Sequence, residues 1–281
     1  MKRNRVLIGA VTTILVIGVL AADHYFLRGI PSAALLALVA FAASYELCMV
    51  LAAAGMPTFA KSTAFASFVV ALTPVVARIV APDVSTFAPQ AGLIFLFVVV
   101  AFALAIRSTN AAAGAKAVIS GTFVLVYVGF ALSFLVRLRG LEEIGWVLLI
   151  FALACAKVGD MAAYFVGRAV GRRPLAARLS PMKTVEGALG ALGASILCAF
   201  AVYPFTNGWV SLPVLIMWSV LLSFAAQFGD LAESLLKRAA TVKDSSTFFG
   251  LMGGTLDVVD SLLLCAPTAY ILAIVAGFSA A

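Results

Sequence analysis

The apolar residues of this 281-residue chain neither scatter nor alternate; they gather in long runs near 6–22, 32–54, 63–81, 91–106, 117–136, 144–163, 186–203, 210–228 and 256–277. About 20 apolar residues in a helix, rising ~1.5 Å each, cross the ~30 Å hydrocarbon core of a bilayer. Only helices and closed barrels satisfy their backbone polar groups there, and runs this long and unalternating are helical. The expectation is an all-α, polytopic membrane protein with about nine transmembrane helices. With 64% hydrophobic and 11% charged residues and a mean hydropathy of +1.15, the chain carries more apolar surface than one soluble core could bury. Pro31, Pro57, Pro82, Pro89, Pro174 and Pro204 fall between the runs or at their edges, where proline is tolerated.

The net charge of +7 is not a nucleic-acid footprint, because no soluble basic domain carries it; no nucleic-acid partner is expected. Its distribution instead orients the chain. With the N-terminus cytoplasmic, fourteen of the nineteen basic residues fall in cytoplasmic connections and four (Arg28, Arg78, Arg137 and Arg139) on the other side, with Lys157 inside a span. That asymmetry follows the positive-inside rule. The opening MKRNR and the apolar run after it share features with a signal peptide and read best as an uncleaved anchor. Cys48, Cys155, Cys198 and Cys265 stand alone in apolar runs and read as small buried hydrophobes, and the lone His24 as structural. Any metal should therefore be a hard cation held by carboxylates.

Two connections, 164–186 and 229–256, are longer and more polar than the others and lie on the cytoplasmic side. This divides the chain into N-terminal transmembrane helices over 1–140 and a catalytic transmembrane region over 141–281. Charge is costly near hydrocarbon, so acids and bases gathered at its edge mark a functional site. Asp257 and Asp260 are three apart at the start of the last span, about 60° from each other on a helix, and could share a divalent cation. Asp230 and Glu233 repeat that spacing and are followed by Lys237 and Arg238; an i, i+4 pair of Glu233 with Lys237 is the simpler reading of those two. Gly253 and Gly254 precede a helix start, where backbone amides could cradle phosphate, beside Lys243 and Asp244. Asp160, three residues after Lys157, opens the other polar segment, which holds Ser180, Lys183, Thr184 and Glu186. Gly187, Gly190 and Gly193 suit close helix packing, and the role of the intramembrane Glu46 is open. Together these residues point to Mg²⁺ held by carboxylates, basic groups on phosphates, and phosphoryl or nucleotidyl transfer to a lipid.

On these residues the chain resembles the phosphatidate cytidylyltransferases, or CDP-diacylglycerol synthases. Ser234, Lys237, Arg238, Lys243, Asp244, Gly253, Gly254, Asp257 and Asp260 fall in the order and spacing of that family's signature. Asp160 with AYFVGR after it, SPMKTVEG at 180–187 and GDLAESLLKR at 229–238 extend the likeness over roughly the C-terminal half. Met252 and Val258 stand where the signature has His and Arg, and Gly250-Leu251 replaces Pro-Gly. The resemblance implies transfer of cytidylyl from CTP to phosphatidate in the bilayer, in the cell membrane with the active face cytoplasmic. Asp230, Asp257 and Asp260 would hold Mg²⁺ with Asp160 close by; Lys183, Lys237, Arg238 and Lys243 would hold phosphates; Ser180, Thr184 and Asp244 would position loops or ligands. A homodimer is compatible with it. The alternatives are a CTP-dependent lipid-alcohol kinase, a paralogue that binds lipid or nucleotide without catalysis, and a transporter, whose acids would sit nearer the bilayer midplane.

Overall fold

The computed structural model describes residues 29–81, 85–141, 144–242, 245–246 and 253–278, together with Gly18 and Asp23. Among the described residues, eight helices are long and apolar enough to cross a bilayer, and the chain is a multi-pass membrane protein. They correspond to the last eight runs of the sequence; the first, near 6–22, lies outside the described residues apart from Gly18.

In order, the elements are α1 (Ile30–Ala53), α2 (Ala60–Val80), α3 (Phe87–Ile106), α4 (Ala111–Val124), a π-helical stretch (Leu125–Phe130), α5 (Ala131–Arg139), α6 (Gly145–Val170), β1 (Pro174–Ala176), β2 (Ser180–Thr184), α7 (Val185–Val202) with a 3-10 turn (Tyr203–Thr206), α8 (Leu212–Ala239) and α9 (Thr255–Val275). Two compact units are formed, one from Met1–Arg137 with Ala239–Val259, the other from Leu138–Arg238 with Asp260–Ala281. The first turn of α9 thus belongs to the first unit and its remainder to the second.

In the first unit, Val70, Phe97, Ala101, Val118 and Leu125 form a core shared by α2, α3, α4 and the π-helical stretch. Arg137 was expected in an external connection; α5 instead carries it as a helical residue that is only 2% exposed. Hydrophobicity alone ends the span at 136, whereas the arginine is drawn in by acceptors. It donates to Thr86 Oγ1, to the Thr86 carbonyl at 3.0 Å and to Gln90 Oε1 at 2.5 Å, and lies 3.5 Å from the Phe87 ring centroid. Gln90 is fixed in turn by donating to the Val70 carbonyl at 2.8 Å. Hydrogen bonds to a charged group are worth ~1.5–3 kcal/mol, so Arg137→Leu, which strands these acceptors, should cost about 3 kcal/mol. Thermal unfolding in detergent checks this; an unchanged Tm refutes it.

In the second unit α6 packs along α7. A Cβ at Gly187 would fall 2.7 Å from the Ala163 carbonyl, and one at Gly190 2.7 Å from the Val166 side chain. Gly193, in contrast, has nothing within 4 Å, so two of the three spaced glycines make the close approach. The connection 164–186 is more ordered than its polarity suggested: α6 runs on to Val170, and β1 and β2 form an antiparallel hairpin pairing Pro174 with Thr184 and Ala176 with Ser180. Among the described residues, the fold is all-α apart from this hairpin. The connection 229–256 likewise begins as helix, since α8 continues to Ala239. All four cysteines are free and buried.

Candidate functional site

Asp230 and Glu233 sit one turn apart on α8, and Asp260 faces them from α9, each offering an oxygen within 4.8 Å of the others. Gly229 permits this approach, because a Cβ there would lie 2.6 Å from the Asp260 carbonyl oxygen. At such a separation two carboxylates repel by roughly 3 kcal/mol at an effective dielectric near 20. Lys183 Nζ, 2.5 Å from Asp230, and Lys237 Nζ, 2.7 Å from Glu233, offset part of that repulsion. Three acids against two lysines leave a negative site of hard oxygen donors, with Glu233 fully buried and Asp260 8% exposed. That donor set fits a small hard cation such as Mg²⁺. Lys183 and Lys237, read from the sequence as holding phosphates, are also partners of the acids.

Asp160 lies on α6 in a small polar triangle of the same unit. Lys157 Nζ is 3.2 Å from Asp160 Oδ2 and donates to Ser261 Oγ at 2.7 Å, while Ser261 donates to Asp160 at 2.9 Å. Ser261, fully buried, was missed by sequence reasoning; its place directly after Asp260 was the available signal. Asp160, Ser180, Lys183, Thr184 and Asp230 all line one cavity of about 320 Å³, to which Tyr164 and Gln227 also contribute. The structure thus brings five of the expected residues around one space, and Asp230 belongs to both the cavity wall and the three-acid cluster.

Other expected residues serve the framework of that cavity. Thr184 caps α7 by accepting from the Gly187 amide at 3.1 Å. Glu186 accepts from the Arg172 and Arg173 amides at 3.0 and 3.2 Å and from Arg173 Nε at 3.1 Å, which holds the turn leaving α6. Arg238 Nε donates to the Leu179 carbonyl at 3.1 Å, tying α8 to the hairpin turn. Ser234 is buried in α8. Lys243, Asp244, Met252 and the Gly250-Leu251 pair lie outside the described residues.

In the first unit, Asp257 turns back toward the start of its own helix. Its Oδ2 accepts from the Gly254 amide at 2.6 Å, the Ser245 amide at 3.1 Å and the Ser245 hydroxyl at 2.8 Å. Gly253, with φ at +86°, takes the left-handed conformation that glycine adopts without strain. Of the amides expected to cradle phosphate, that of Gly254 is bonded to Asp257, and those of Thr255 and Leu256 to Glu46.

A family model described as the cytidylyltransferase family matches residues 3–276. The chain belongs to this family. Among its relatives, the phosphatidate cytidylyltransferase of Brucella suis is 41% identical over 150 residues, 52% of this chain and 54% of that protein. The protein of the same name from Bacillus subtilis is 34% identical over 151 residues, 54% of this chain and 56% of its own length. That of Thermotoga maritima is 36% identical over 162 residues, 56% and 59% of the two chains. The chain spans about half the length of the curated relatives it matches. The cytidylyltransferase match reaches back through α1 to α5, well before the motifs that carry the likeness in the sequence.

Proposed function

We propose that the chain transfers the cytidylyl group of CTP to phosphatidate, giving CDP-diacylglycerol and pyrophosphate, at the cytoplasmic face of the cell membrane. The observation that carries this reading is the double role of Asp230: it borders the cavity holding Lys183, Ser180 and Thr184, and it belongs to the carboxylate cluster with Glu233 and Asp260. Family membership and the names of the relatives favour CTP and phosphatidate as its occupants. The excess of basic residues on one side favours the cytoplasmic face.

In the reaction an oxygen of the phosphatidate phosphate attacks the α-phosphorus of CTP. The new P–O bond forms as the α–β bridging bond breaks, and pyrophosphate leaves with the bonding pair. The lipid phosphate is already anionic, so no protein nucleophile is required. Asp230, Glu233 and Asp260 would hold Mg²⁺, which when bound supplies neutralisation of phosphate charge. Lys183 contributes a compact positive charge at the cavity wall, suited to a phosphate oxygen. Asp160, held by Lys157 and Ser261, keeps one orientation toward the same space. Thr184, Glu186 and Arg238 keep the hairpin, and with it Lys183, in place.

Purified protein in phosphatidate micelles with Mg²⁺ and labelled CTP should form a CDP-lipid and release pyrophosphate. Chelation should abolish turnover and Mg²⁺ restore it. Release of CDP in place of pyrophosphate would identify a lipid kinase, and no product with a folded protein would overturn the reading.

A further inference from the structure

Glu46 lies deep in α1, in a stretch whose only evident feature is hydrophobicity, yet the residue is only 8% exposed and both its carboxylate oxygens are hydrogen-bonded. Oε1 accepts from the Ser246 hydroxyl at 2.7 Å and the Thr255 amide at 3.0 Å; Oε2 accepts from the Ser245 hydroxyl at 3.0 Å and the Leu256 amide at 2.8 Å. Thr255 and Leu256 are the first residues of α9, where amides have no acceptor within the helix. Both are buried, so an acceptor from elsewhere is needed, and a carboxylate at the positive end of the helix is the most favourable one. A Cβ at Gly254 would meet Ser245 Oγ at 2.2 Å and Glu46 Oε2 at 2.3 Å, so the glycine leaves room for this contact.

The same serine reaches the second carboxylate. Ser245 Oγ is 3.0 Å from Glu46 Oε2 and 2.8 Å from Asp257 Oδ2, with one hydroxyl proton to give. Its amide donates to Asp257 at 3.1 Å whichever acid takes that proton. With the hydroxyl on Glu46 the serine bridges the two carboxylates, and Glu46 fixes both the helix start that carries Asp257 and the serine that binds it. We propose that Glu46 is a positioning residue for the transfer reaction, holding Asp257 and the first turn of α9, the helix that carries Asp260 one turn further on, from a helix far away in sequence. The catalytic part of this inference rests on the proposed function; the structural part does not.

The test pairs two readouts on Glu46→Gln, Glu46→Ala and the milder Ser246→Ala. Hydrogen exchange of a peptide covering 253–258 should speed up at least tenfold in the first two, with the remaining helices unchanged. In the Mg²⁺, CTP and phosphatidate assay, kcat should fall ten- to a hundredfold for Glu46→Gln, with KM for CTP within twofold of native. Glu46→Asp should recover part of kcat, and Ser246→Ala should show both effects weakly. Unchanged exchange in Glu46→Ala overturns the clamp, and faster exchange with native kcat overturns its positioning role. Native protein that makes no CDP-lipid counts against the proposed function, while the exchange result still decides the clamp.

Discussion

Asp260→Asn is expected to lower cytidylyl transfer about a thousandfold while leaving the protein inserted and folded. Three carboxylate oxygens within 4.8 Å of one another repel, Lys183 and Lys237 offset that repulsion only in part, and a divalent cation would relieve the remainder. Charge stabilisation by a metal is worth several kcal/mol at the transition state, and each ~1.4 kcal/mol is tenfold in rate. Asparagine keeps the volume and keeps an oxygen for the Ser261 amide, which Asp260 Oδ1 accepts at 2.6 Å. It removes one of the like charges facing Asp230 and Glu233, so the unfolding temperature should hold or rise. That opposition separates the two roles: a ligand of Mg²⁺ gives lower activity with undiminished stability. Activity within tenfold of native would remove Asp260 from the metal site, and a lost fold would make it structural. The half-saturating Mg²⁺ concentration of any residual activity should also rise.

The helices were legible because their length and hydrophobicity answer to one physical demand, the thickness of a bilayer. Their ends were not, because that demand stops at the membrane surface. α8 continues from 228 to Ala239 on other grounds, among them the Glu233–Lys237 pair at 2.7 Å. The hairpin escaped notice because strands of three and five residues carry too little alternation to register. Within the site, Lys157 with Asp160 and Asp230 with Glu233 could be paired from helical spacing alone. The placing of Asp260 beside Asp230 and Glu233 could not, since it depends on the approach of two helices at Gly229. Asp257 and Asp260 invited a shared cation by the same spacing. An aspartate in the first turn also has free amides within reach, and Asp257 takes the Gly254 amide with Oδ2. Glu46 was the hardest to read, because its partners lie some two hundred residues away.

Lys183 tests how the acids and the phosphates share the cavity. Its ammonium is 2.5 Å from Asp230 and about a quarter exposed, so it can serve a phosphate in the cavity, neutralise Asp230, or do both. The two roles move different quantities in different directions. If Lys183 holds a phosphate of CTP, Lys183→Ala removes a charged hydrogen bond of ~1.5–3 kcal/mol, and kcat/KM should fall about a hundredfold, largely through KM. If it also neutralises Asp230, the same change leaves that carboxylate with one competitor fewer, and half-saturating Mg²⁺ should decrease. The expected result is both together: weaker CTP binding with a lower Mg²⁺ requirement. Lys183→Arg keeps the charge but spreads it over a planar fork, so it should restore the Mg²⁺ requirement more fully than the KM. A native KM for CTP in Lys183→Ala, with only the Mg²⁺ requirement shifted, would leave Lys183 as the partner of Asp230 and move phosphate binding to another base.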